Sequence, residues 1–184
     1  GDAESGRGVA SDGEAVAPPS WTVNGNVTQV QYGASGGFIT ASDPGPSNRG
    51  KNYFVGGPAN AQSSASQTVT LAGNAGSIDG GAQSFTLSAW LGGWGDQTDD
   101  AAVGVSFLCE SGSELKVFSI GPVSPSDRNG ISGLVLKSVT GNIPSGARSA
   151  VITMSFVRQE GSYSDGAADN VDFRLGAQIG RAHV

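Results

Sequence analysis

The chain is short of the residues on which most catalytic and metal chemistry depends. Its 184 residues include 1 cysteine and 1 histidine. A single cysteine forbids an intrachain disulfide, and the pair is too few for a structural zinc site of thiolates and imidazoles. The lone histidine, His183, sits beside the last residue. A Ser-His-Asp or Cys-His arrangement would need that end docked against the body of the protein. No apolar run approaches the length of a membrane span. No phosphate loop or dinucleotide fingerprint occurs, and the Gly-Gly pairs read as hairpin or bulge signals. No signal peptide is visible, and the abrupt start "GDAESG" is expected of a processed or trimmed product.

Charge is also scarce, at 14% of residues. Lysine occurs only at positions 51, 116 and 137, whereas long helices need Leu, Ala, Glu and Lys in volume. The net charge of −6 argues against a nucleic-acid partner, which calls for a basic stripe, and against an anionic membrane surface. The carboxylates serve either solubility or cation binding.

Glycine is abundant, at 30 residues, and Ser, Thr, Asn and Gln are plentiful. This composition suits short strands joined by turns, and the chain is long enough for one domain with a real core. Residues 5–20 read as a loop. Two short strand-like runs flank the turn signal at Gly25. The stretch "SASQTVTLA" alternates with Val69 and Leu71 inward. Further on, Phe85, Leu87, Ala89 and Leu91 share one face, as do Ala101, Val103, Val105, Phe107 and Cys109, and then Ala150, Ile152, Met154 and Phe156. Cys109 is therefore expected as a small core residue. Some nine or ten short strands with no sustained helical period predict an all-β protein: a two-sheet antiparallel β-sandwich with jelly-roll topology. One domain is expected over residues 1–175, with 176–184 as a tail or linker remnant.

Two features fit this pattern poorly. Asp169 falls in phase with Val171, Phe173 and Leu175, which places a carboxylate on an apolar face, where an unpaired charge is costly. It needs either a compensating cation or hydrogen bonds from turn amides. Trp90 lies on the face opposite Phe85, Leu87 and Ala89. It is either a stacking platform for a sugar ring, with Ser and Thr neighbours for the hydroxyls, or a side chain covered by a loop. Trp94, Asp96, Gln97, Asp99 and Asp100 form the loop "WGDQTDD", whose aromatic, amide and carboxylate groups suit hydroxyl recognition or a solvated turn. The loop around Tyr163 and Asp165 is similar in kind. Trp21 reads as core. Tyr53 and Phe54 point to opposite faces, and Arg128 is expected to pair with Asp127 or with turn carbonyls.

Several segments resemble carbohydrate-binding modules of the jelly-roll, galactose-binding-domain-like type found in secreted bacterial proteins. "GDAESG" is similar to their N-terminal G-x-x-E-x-G, "PPSWTVNGNV" and "GKNYFVGG" to their early aromatic strands, and "GAADNVDFRL" to their closing strand. "LSAWLGGWGDQTDDAAVGVSFL" and "GSYSDGAADNV" look like a secreted and surface-protein version of the domain. The resemblance implies a structural calcium ion where the first and last strands meet. It carries over Glu4 as a side-chain ligand and Asp169 as a side-chain and backbone ligand, with contributions from Asp2 and from the turn at Lys51 and Asn52. Calcium, with its six to eight hard oxygens, suits such a set better than magnesium.

The expected function is thus non-catalytic glycan binding by a module of a secreted or cell-surface protein. Trp90, Trp94, Asp96, Gln97, Asp99, Tyr163 and Asp165 are the candidate ligand contacts. Possible partners are a polysaccharide and further domains of a parent protein, without nucleic acid or membrane insertion. The alternatives are a structural or adhesive module that binds no sugar, and a jelly-roll hydrolase or lyase, which needs two carboxylates facing a cleft.

Overall fold

The computed structural model of the protein describes residues 3–176. In chain order the strands are β1 (Val9–Ser11), β2 (Thr22–Asn24), β3 (Thr28–Ser35), β4 (Asn52–Pro58), β5 (Gln62–Thr70), β6 (Ser84–Gly93), β7 (Asp100–Cys109), β8 (Glu114–Ile120), β9 (Gly133–Asn142), β10 (Ala147–Val157) and β11 (Tyr163–Leu175). A single turn of helix, α1 (Ala75–Asp79), lies between β5 and β6.

The strands form two sheets packed face to face, a jelly-roll β-sandwich. The first sheet has the order β1-β3-β4-β11-β6-β9 and the second β2-β5-β10-β7-β8. Pairing is antiparallel except between β1 and β3. The turn at Gly25 does not close a hairpin. It carries the chain from β2 in one sheet to β3 in the other.

The alternation expected for β6, β7 and β10 is met. Phe85, Leu87, Ala89 and Leu91 are buried against Val103, Val105, Phe107, Ile152, Met154 and Phe156. Phe85 meets Phe107 edge-on across the sandwich at 5.0 Å between ring centroids. Two inward expectations need correction. Cys109 ends β7 half-exposed, with Sγ 3.0 Å from the Ser111 hydroxyl. Val69 has the inward phase, opposite Ala150, yet is 38% exposed. The neighbouring edge strand β2 covers β5 only over Ser64–Ser66, so the sandwich is open at Val69.

A second, smaller core lies on the outer face of the first sheet. The segment 36–50 folds across that face and covers Val30, Tyr53, Val55, Leu134 and Ala167 with Phe38 and Ile39. Phe54 therefore enters the main core, while Tyr53 is buried on the other side and accepts a hydrogen bond from the Ile39 amide at 3.0 Å. Gly37, at φ +93°, permits close passage. A Cβ there would lie 3.2 Å from the Trp94 ring.

Candidate functional site

The surroundings of Asp169 differ from those expected. The ladder between β11 and β6 pairs Asp169 with Trp90 but Asp172 with Ser88, so it skips one residue. This is a β-bulge, with Asn170 at φ +47°. The bulge reverses the alternation. Val171 packs in the main core, but Asp169 points to the outer face, beneath the second core. There it is fully buried. Its carboxylate accepts from the Tyr32 hydroxyl at 2.7 Å and from the Asn170 amide at 2.7 Å. Burial, and then Asp169 itself, pushes the Tyr32 phenol upward, so it remains a proton donor. The Arg49 guanidinium lies 5.2 Å from the Tyr32 ring centroid and brings positive charge to the same place.

Glu4, Lys51 and Asn52 are brought together. One Glu4 carboxylate oxygen accepts from the amides of Lys51 and Asn52, both at 2.8 Å. The Ala3 carbonyl accepts from the side chains of Gln29 and Asn52, and the Lys51 carbonyl from the Tyr32 amide. Ala168 pairs with Phe54 on β4, so Asp169 lies one residue further along, in the direction of Asn52 and Lys51. Asp2 lies outside the described residues. Among the described residues, no group of three or more His, Cys, Asp or Glu side chains is arranged to hold a metal.

Trp90 is half-buried. Its ring packs on the second core, and it also lines an open hollow of about 410 Å³ on the outer face. Ser88, Leu136, Asn170, Val171, Asp172 and Arg174 complete the hollow with Asn48. Leu136, opposite Trp90 on β9, is 52% exposed and extends the apolar floor. Asp172 and Arg174 pair at 2.5 Å and supply an acceptor and a donor at the rim. The Asn170 side chain donates to the Asn48 side-chain oxygen at 3.0 Å. Trp90 is thus partly covered by the second core and partly open to the hollow. Asp172 and Arg174 were legible only as the polar face of a strand. Their link to Trp90 needs the β6–β11 pairing, which no local pattern reveals.

The other candidate ligand contacts lie where the loop before β7 meets the start of β11, so Tyr163 and Asp165 stand on a strand and not in the expected loop. The Asp99 carboxylate holds the two segments together. It accepts from the amides of Gln159 at 2.6 Å, Glu160 at 2.9 Å and Asp165 at 2.8 Å. It is 2% exposed, so it braces the loops and does not face a ligand, contrary to expectation. Gln97 is also turned inward, with its side-chain oxygen shielded. Arg128 fixes the same loop through the carbonyls of Gly93, Gly95, Gln97 and Ile131 at 2.5–3.2 Å. Of its two expected partners, then, it takes the carbonyls; Asp127 instead accepts from Ser124. Trp94 and Asp96 are exposed. Tyr163 is half-buried edge-on to Phe38 at 5.3 Å. Burial, with Asp99 and Asp12 nearby, raises the Asp165 carboxyl to about 7.

No protein-family model matches the chain, and no curated protein matches it. Solved structures do. A cyclase from Fischerella sp. TAU in complex with 4-(1H-indol-3-yl)butan-2-one superposes with a TM-score of 0.56 at 15% identity, over 90% of this chain and 89% of that one. The C-terminal family 22 carbohydrate-binding module of Clostridium thermocellum Xyn10B gives 0.50 at 13% identity, over 89% of each chain. The enzymatically active domain of bacteriophage CBA120 tailspike protein 4 gives 0.54 at 18% identity, over 86% of this chain. The present chain spans 20% of that tailspike domain.

The fold is a jelly roll, and a carbohydrate-binding module shares it. The shared feature is the architecture, and within it the similar structures include a binding module and proteins described by their catalysis. No helix among the described residues is long and apolar enough to cross a membrane.

Proposed function

We propose that this chain is a non-catalytic glycan-binding module of a secreted or cell-surface protein, and that its ligand lies in the hollow beside Trp90. The observation that supports this reading is the hollow itself: a partly exposed indole beside the exposed Leu136, with Asp172, Arg174 and Asn170 around it. An aromatic face offers contact to sugar C–H groups, and the carboxylate, guanidinium and amide bond hydroxyls. Trp94 and Asp96, exposed at the loop end, are secondary contacts for a longer chain. Affinity-gel and glycan-array measurements test the reading. Retention on a polysaccharide that falls about tenfold in Trp90→Ala is expected. Absence of binding to every glycan, or binding unchanged by Trp90→Ala, would overturn it.

The proposal includes a structural calcium ion held by Glu4 and Asp169 with the main chain around Lys51 and Asn52. Its support is the convergence of residues 3–4, β4 and β11 on one region rich in hard oxygens. These oxygens also accept protein hydrogen bonds, so the ion shares them.

A further inference from the structure

The ladder from β11 to β4 ends at Ala168, whereas that from β11 to β6 runs on to Leu175. From 171 to 175, β11 therefore lies at a margin of its sheet. The second sheet is open on the same side, where β2 stops short and leaves Val69 exposed. Between the two margins is a hollow of about 180 Å³, walled by Trp21, Val69, Ile152 and Phe173, with Gln67 beside them. Val171 and Asp172 line this hollow, and they also line the larger one of about 410 Å³ beside Trp90. The two hollows thus meet at β11, and each holds one tryptophan.

Trp21 is half-buried, and its neighbours hold it in place. The ring packs edge-on to Phe54 at 5.9 Å between centroids. The Gln67 side-chain amide donates to the Ser20 carbonyl, just before it, at 3.0 Å. Of the residues lining either hollow, Asp172 and Arg174 are the charged ones, and they pair with each other at 2.5 Å. The lining therefore carries no net charge. A neutral ligand suits it, since a charged one would lose hydration without gaining a counter-ion. An indole on either side of a hydrogen-bonding junction matches a repeating chain whose units each offer C–H groups and hydroxyls.

Resting on the glycan reading above, we propose that the two hollows act as one cleft, and that its ligand is an internal stretch of a neutral polysaccharide rather than a terminal sugar. One unit stacks on Trp90, and Asp172 bonds hydroxyls at the crossing. A later unit reaches Trp21 and Val69, where Gln67 supplies a further polar contact. A terminal sugar would fill the outer hollow alone and leave the apolar surface of Trp21 and Val69 in water.

Affinity gels with soluble β-1,4-linked xylan, galactan and glucan, and calorimetry with the di- and hexasaccharide of the one retained, test the inference. The hexasaccharide is expected to bind about tenfold more tightly than the disaccharide. Trp21→Ala should remove that gain and leave the disaccharide unchanged. Should this variant fold poorly, Val69→Arg, whose long side chain would lie across the mouth of the inner hollow, should do the same. Trp90→Ala should weaken both. Equal affinity for the two lengths would overturn the inference, as would a gain untouched by both variants or one removed by Trp94→Ala instead; the glycan reading would then stand on Trp90 without it. No retention on any of the three polysaccharides, together with no signal on a glycan array, would overturn that reading and the inference with it.

Discussion

Two aspartates illustrate how a side chain's role follows from its surroundings rather than its type. Asp99 lies just before β7 and Asp165 near the start of β11, and the first of them braces the second. Asp99→Ala would leave three amides at residues 159, 160 and 165 without their acceptor. A loss of about 3 kcal/mol is expected, measurable by denaturant unfolding. Asp165 is perturbed in the opposite sense, since burial and the neighbouring Asp99 and Asp12 disfavour its charge. Its folded value of about 7 lies above its unfolded one near 3.8, so the native state binds the proton more tightly. The stability this contributes is complete below about pH 4 and is lost as pH rises through 7. Asp165→Asn should therefore raise the melting temperature at pH 8 and flatten the decline between pH 4 and 8. A slope unchanged in the variant would refute this account.

The elements that matter most to the site are irregular ones. The bulge in β11 turns Asp169 to the outer face and Val171 to the inner one. It rests on Asn170 at φ +47°, a conformation that Asn and Gly adopt readily and β-branched residues resist. Asn170→Gly should retain the fold. Asn170→Val should cost about 1–2 kcal/mol and disturb the Trp90 hollow, which Asn170 also lines; thermal unfolding and the glycan affinity would both report it. In β4, Gly57 has φ +84°, and a Cβ there would lie 1.9 Å from the Asn26 carbonyl. Gly57→Ala is expected to destabilise strongly, because the crossover from β2 to β3 passes directly over it. The segment 36–50 is a third irregular element. By covering Tyr53 and part of Trp90, it makes one end of the outer face a second core and leaves the remainder as a hollow.

At the scale of the whole molecule, residues 3–4 are bound to Lys51 and Asn52 at the start of β4, and β11 pairs with β4 close by. A ligand that binds only the native state raises stability by mass action. With the proposed calcium ion, chelator should lower the melting temperature and added calcium restore it, and Asp169→Ala should abolish the response. A melting curve indifferent to both would refute the ion and leave Tyr32 and the Asn170 amide as the main support of the buried carboxylate. The single cysteine adds no covalent constraint, so the sandwich depends on the packing of its two sheets.

The amino-acid sequence by itself determined the architecture. Alternation at period two in β6, β7 and β10, turn chemistry between strands and the lack of helical pattern are local properties, and a sandwich follows from them because each half-apolar strand must bury one face. It also marked Trp90 as anomalous, since the anomaly is visible within one strand. What it could not settle are matters of pairing. The apolar phase of Asp169 was broken by one extra residue, which shifts every later side chain to the other face. Asp99 looked like a ligand contact because its three amide donors lie some sixty residues away in the chain. Tyr53 became buried because a distant loop crosses it. Only the tertiary structure decided these, for they depend on which backbone amides and side chains arrive from remote parts of the chain.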